Sequence, residues 1–279
     1  MFLLQQILPA AVIALMVSAG LCGFALYWGK EWARGVLVPL ALGLAYLSGH
    51  LVITGWVSFP PTDTTNWLPY FALTGAVLGA SCTLVTTKTW GRVLIFSLVS
   101  AGALRLLLKP KFQYGWSPGE GWLWVGCLVC AFVLLAIVLD ALVRRPAAAI
   151  EIPTFLVITC AGTFGALMLS GSMLLGQFAA VLGAAVFGSL VFTVRKAALG
   201  RGIVPVFTLL MGTLLVSAYF FAELPAVSAV LLLFASAAAL VPINLSSKLL
   251  AFGVRTALVS VPIVVALVLA FRSSPPLSY

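Results

Sequence analysis

Apolar residues fall along this chain in long blocks, each closed by a short polar break. Ten blocks can be drawn, at 7–28, 35–56, 67–87, 89–108, 122–143, 152–171, 173–194, 203–224, 225–243 and 249–271. A helix of about 20 residues crosses the hydrocarbon core of a bilayer, and each block reaches that length. Pro9, Pro69, Pro153, Pro205 and Pro225 fall near block starts, where a missing N–H costs a helix nothing. Trp28, Trp32, Trp56, Trp67, Trp90, Trp116, Trp122 and Trp124 lie at or near block ends, the depth at which indole anchors to a membrane interface. The pattern predicts an all-α, polytopic integral membrane helix bundle of about ten transmembrane helices. Residues 1–279 then form one transmembrane domain with no sizeable soluble domain. The ninth block, 225–243, is the shortest, is rich in alanine and joins its neighbour through Glu223-Leu224-Pro225.

Composition agrees with the pattern. Of 279 residues 63% are hydrophobic and only 8% charged, against about 25% charged in a soluble domain. The net charge of +9 makes no nucleic-acid surface, because the basic residues stand singly or in pairs between blocks. They act instead as topology signals. Alternating the blocks collects Lys30, Arg34, Lys88, Arg92, Arg144, Arg145, Arg195, Lys196, Arg201, Lys248 and Arg255 on one face. The other face receives Arg105, Lys109, Lys111 and Arg272. The first face is therefore expected in the cytoplasm, with the 144–151 and 195–202 loops, and both termini outside. The first block has no Lys or Arg before it, no A-x-A site, and Leu21 before Cys22, so it reads as a retained helix. The expected location is the cytoplasmic membrane of a bacterium.

Small residues repeat at helical spacing. Ser172, Gly176, Ala180, Ala184 and Gly188 are four apart and share one face of the seventh span. Gly162, Ala166 and Ser170 do the same in the sixth, and Ser170-Gly171-Ser172 is a natural tight connection between the two. Gly75 and Gly79 form G-x-x-x-G in the third span, and Ala10, Ala14 and Ser18 a similar ladder in the first. Helices in lipid associate by close packing, which small residues permit. The seventh-span stripe is thus expected to face another helix, the sixth first. Gln177 beside it needs a hydrogen-bonding partner, from a neighbouring helix or from a ligand.

Ionisable groups within spans are the candidates for chemistry. Asp140 has Arg144 at i+4, a helix-face ion pair, and Arg255 lies near enough to its span end to snorkel. His50 and Arg105 lie at similar depth below the outer face, and Lys109 and Lys111 follow Arg105. Together they are expected to line an outward-facing cavity that attracts an anion. Cys127 and Cys130 form C-x-x-C near the outer end of the fifth span, a redox-pair spacing, although Leu128 and Val129 fill it and no charge nearby would favour a thiolate. A lone histidine and scattered acids make no metal-ligand set, and no nucleotide or cofactor fingerprint occurs. No catalytic constellation is visible either.

Three functions fit these features. The first is a transporter-like or lipid-handling protein with an outward-facing cavity. The second is a non-catalytic assembly subunit whose partners are other membrane proteins or further copies of itself. The third is a membrane thiol oxidoreductase using Cys127 and Cys130. The lipid bilayer is a partner in all three, and nucleic acid in none.

Overall fold

The computed structural model describes residues 2–27, 31–61, 63–84, 89–145, 148–193, 200–243 and 247–273. Lys30, Lys88, Arg195 and Lys196, four of the expected topology signals, lie outside them. The described residues form α-helices and short 3₁₀ turns, with no strand among them. The helices are α1 Phe2–Tyr27, α2 Glu31–Thr54, α3 Leu68–Leu84, α4 Thr89–Leu107, α5 Lys109–Tyr114, α6 Pro118–Val143, α7 Ala148–Leu169, α8 Met173–Thr193, α9 Ile203–Phe221, α10 Ala226–Leu233 and α11 Lys248–Ser273. Nine of these are long and apolar enough to cross a membrane, all but α5 and α10. The protein is a multi-pass integral membrane protein.

Side chains choose the neighbours. Fifteen of the nineteen residues of α9 are buried, which places it at the centre of the bundle. It packs against α3 because two glycines let the backbones meet. A β-carbon on Gly75 would sit 2.9 Å from Val206 Cα, and one on Gly79 would collide with the carbonyl of Gly202. Gly35 of α2 brings a third backbone to this crossing, since a β-carbon on Gly202 would lie 3.1 Å from its carbonyl oxygen. At the other end of α9, Phe220 meets Trp116 and Trp124 edge-on, with ring centroids 5.1 and 5.3 Å away. The bundle therefore has an arginine end, near Gly202, and an aromatic end, near Phe220.

Between Leu107 and α6 the chain is more ordered than a loop. Residues 109–114 form a short helix, and α6 starts at Pro118, four residues before the apolar block. Ser117 caps it by accepting a hydrogen bond from Glu120 N at 3.3 Å, with proline at the first helical position.

The ninth block departs most from expectation. Instead of one helix it forms α10, then a 3₁₀ turn over Ala235–Leu240. It still returns the chain across the bundle. Contacts from Gly75 to Val206 and from Gly79 to Gly202 make α9 antiparallel to α3, and α3 runs antiparallel to α2 through Gly43 against Ala72 and Gly35 against Thr83. Glu151 meets Arg255, and Gly165 meets Leu267, so α7 and α11 are parallel. Because α9 ends at the aromatic end and α11 starts beside Glu151, the segment between them must run back. Eight α-helical and six 3₁₀ residues span about 24 Å at their usual rises, most of a hydrocarbon core of about 30 Å.

A broken helix inside a membrane exposes carbonyls that lipid cannot satisfy. Here Arg145 reaches over from the end of α6. Its Nη1 donates to Ala239 O at 2.7 Å and its Nη2 to Leu240 O at 2.6 Å. Near the other end, Ser228 Oγ donates to Ala266 O of α11 at 3.0 Å. An alanine- and serine-rich segment lets these neighbours come close.

Two outcomes follow. Reporters fused after Gly200, Glu223 and Ser247 should read one side of the membrane, then the other, then the first again. The same side for the last two would mean that Ala226–Leu240 does not cross. Arg145→Ala should destabilise the fold by about 1.5–3 kcal/mol, the range for hydrogen bonds to a charged group, seen as a lower melting temperature in detergent.

Candidate functional site

A cavity of about 300 Å³ opens at the arginine end. It lies between the α3–α9 pair and the α4–α6 pair, and its walls are apolar, with Phe96, Val133, Ile137 and Val204 among them. Its polar groups converge from three helix ends: Arg92 from α4, Asp140 and Arg144 from α6, and Arg201 just before α9. Cys82 of α3 completes the lining. The crossing of Gly79 over Gly202 seats the start of α9, and so Arg201, against α3.

Asp140 organises two of the arginines. Arg144, one turn on, donates from Nη2 to Asp140 Oδ2. Arg201 Nε stands 3.6 Å from Asp140 Oδ1. The pair expected along α6 is therefore a three-membered cluster joining α6 to the start of α9. All three side chains keep contact with the outside, at 28% exposure for Asp140, 51% for Arg144 and 47% for Arg201. Among the described lining residues, three guanidiniums stand with one carboxylate. A planar guanidinium presents a donor fork to carboxylate or phosphate oxygens.

His50 and Arg105 are not brought into this cavity or into a shared one. His50 is fully buried and stacks on Phe178 of α8, with ring centroids 4.2 Å apart and planes at 16°. Arg105 is half-buried and places its guanidinium 4.0 Å over the ring of Phe112 in α5. The reason is azimuthal. α2 turns the His50 face toward α1 and α8, whereas α4 packs along α6 and carries Arg105 to the hairpin that follows it. Gln177 is buried, and its Nε2 donates to Gln6 Oε1 of α1 at 3.5 Å.

Arg255 does not reach the surface alone. Its Nη1 lies 2.9 Å from both carboxylate oxygens of Glu151, tying α11 to α7 where both side chains are mostly covered. Cys127 and Cys130 are exposed on the outer face of α6, both as free thiols. Among the described residues, no group of three or more His, Cys, Asp or Glu could hold a metal ion.

The small-residue stripe of α8 divides between two neighbours. Gly176 faces Met168 of α7, whose methyl carbon would lie 3.1 Å from an added β-carbon. Gly188 faces α1, where a β-carbon would be 2.6 Å from Leu15 O and 2.8 Å from Ser18 Cβ. Ala180 and Ala184 between them are half-buried, as is Ser172. Gly162 of α7 abuts Ile263 of α11 rather than α8, and Ala166 is fully buried.

The arginine cluster was hidden in the sequence because each member has a separate explanation, as a topology signal or a local ion pair. The available signal was that Arg92, Arg144 and Arg201 close three helices at one end. No protein-family model, curated protein or solved structure matches the chain.

The packing generates a contrast. Gly188→Leu should overpack the α1–α8 contact and cost about 1–3 kcal/mol. Ala180→Leu, at a half-buried position, should cost clearly less. Thermal unfolding of both variants in detergent measures the difference, and equal losses would contradict the division of the stripe.

Proposed function

We propose that the protein is transporter-like or lipid-handling and binds an anionic amphiphile in the cavity between α3, α4, α6 and α9. One observation carries the reading: apolar walls end in a rim that, among the described residues, bears Arg92, Arg144, Arg201 and Asp140. An apolar tail would lie along Phe96, Val133 and Val204 while an anionic head met the guanidiniums. The volume is at the lower end of the range for small-molecule sites, about 300–1,000 Å³, which suits a headgroup and the first part of a chain. The excess of basic residues supports placing this rim in the cytoplasm, with both termini outside. The cavity then faces inward, and the earlier expectation of an outward one on His50 and Arg105 gives way to it.

The test compares fluorescent phosphatidic acid with the matching phosphatidylcholine, binding to purified protein in detergent. Phosphatidic acid should bind more tightly. The double variant Arg144→Ala, Arg201→Ala should weaken it at least tenfold, since charge-assisted hydrogen bonds contribute about 1.5–3 kcal/mol each. Equal binding of the two lipids, unchanged in that variant, would overturn the reading.

A further inference from the structure

His50 is the protein's only histidine, and its burial is complete. Neither Nδ1 nor Nε2 has a hydrogen-bond partner among the described residues. Tyr46, one turn earlier on the same face of α2, is also fully buried, and its hydroxyl is likewise unpartnered. The two rings lie 5.9 Å apart at 40°, with Phe178 covering the other side of the imidazole. Two neighbouring buried rings thus carry three unpartnered hydrogen-bonding atoms where α2 meets α8. A buried polar group is ordinarily hydrogen-bonded. A neutral imidazole has one donor and one acceptor nitrogen, and a phenol can serve as either.

A second observation links this place to the outside. Gln177 and Gln6 pair across α8 and α1, and Gln6 is exposed. Gly49, the residue before His50, packs against Ala10 O and Val181. Ala10 is one turn beyond Gln6, and Val181 one turn beyond Gln177, on helices that run parallel. The amide pair therefore stands one helical turn from the level of His50. Gln177 also precedes Phe178, the ring on which His50 stacks.

We propose that a hydrated path runs from the Gln6–Gln177 pair inward to His50 and Tyr46, where water bridges the imidazole and the phenol. The ligand class is water. A bound water needs two to four polar partners; one imidazole nitrogen and the Tyr46 hydroxyl would be two of them. No Asp, Glu, Lys or Arg occurs within α1, α8 or α9, so no charge on these helices competes for the site. The path does not depend on the arginine-end cavity, whose lining shares no residue with it.

The single histidine makes the test direct. Full-length protein labelled with ¹⁵N-histidine and reconstituted in phosphatidylcholine bilayers gives one imidazole to follow by water-edited solid-state NMR. Magnetisation should pass from water to the His50 nitrogens in the wild type, and Tyr46→Phe should weaken that transfer severalfold. Gln177→Leu should slow exchange of the water at His50 by about tenfold or more, as expected if about 1.4 kcal/mol or more is added to its entry barrier. Absence of water transfer to His50 in the wild type would overturn the proposal without any variant. Transfer unchanged in both Tyr46→Phe and Gln177→Leu, in protein with wild-type melting behaviour, would overturn it as well.

Discussion

The close approach of α9 to α3 is the contact on which the other features depend. In lipid, burying apolar surface between helices gains little, because the tails are as apolar as leucine. What holds a bundle is intimate packing, and that requires positions without side chains where backbones cross. Gly75 and Gly79 supply them against Val206 and Gly202, with Gly35 alongside. With α9 anchored there, its remaining surface is free to receive α2, α4, α6, α8 and α10. The same crossing fixes Arg201 next to Asp140, so packing in the interior positions charge at the edge.

A second constraint is that backbone polar groups must be satisfied wherever lipid replaces water. The long helices meet it internally. The segment over Ala226–Leu240 does not, and Arg145, just past α6, donates to its Ala239 and Leu240 carbonyls, while Ser228 Oγ, donating to Ala266 O, ties α10 to α11. Glu151 and Arg255 secure α7 to α11 beside it. Two arginines that look like topology signals thus also hold the arginine end together.

The sequence was legible at the level that the bilayer itself enforces. Its thickness dictates block length, so nine of the ten expected spans appear as long helices, and the Ser170-Gly171-Ser172 turn, with Gly171 at a φ of 83°, follows from residue type. Composition does not separate a continuous alanine-rich helix from a broken one, so the 3₁₀ turn over Ala235–Leu240 is not readable from it. Depth along a span is likewise readable, whereas direction around the helix is not. His50 and Arg105 share a depth but turn to Phe178 and Phe112, on different neighbours. The rim of Arg92, Asp140, Arg144 and Arg201 escaped for the converse reason, because helices distant in sequence had to be assembled before its members met.

The central claim is that α9 is enclosed by protein on every side, and oxygen accessibility measures this most directly. Nitroxide labels placed singly along Ile203–Ala218, in protein reconstituted in bilayers, should show uniformly low collision with dissolved oxygen. Labels along α11, whose Val261, Val264, Val265 and Val268 are exposed, should show high collision rates that recur with a helical period of about 3.6 residues. A period of that kind along α9, with one face as accessible as that of α11, would put the helix at the lipid boundary and contradict the account.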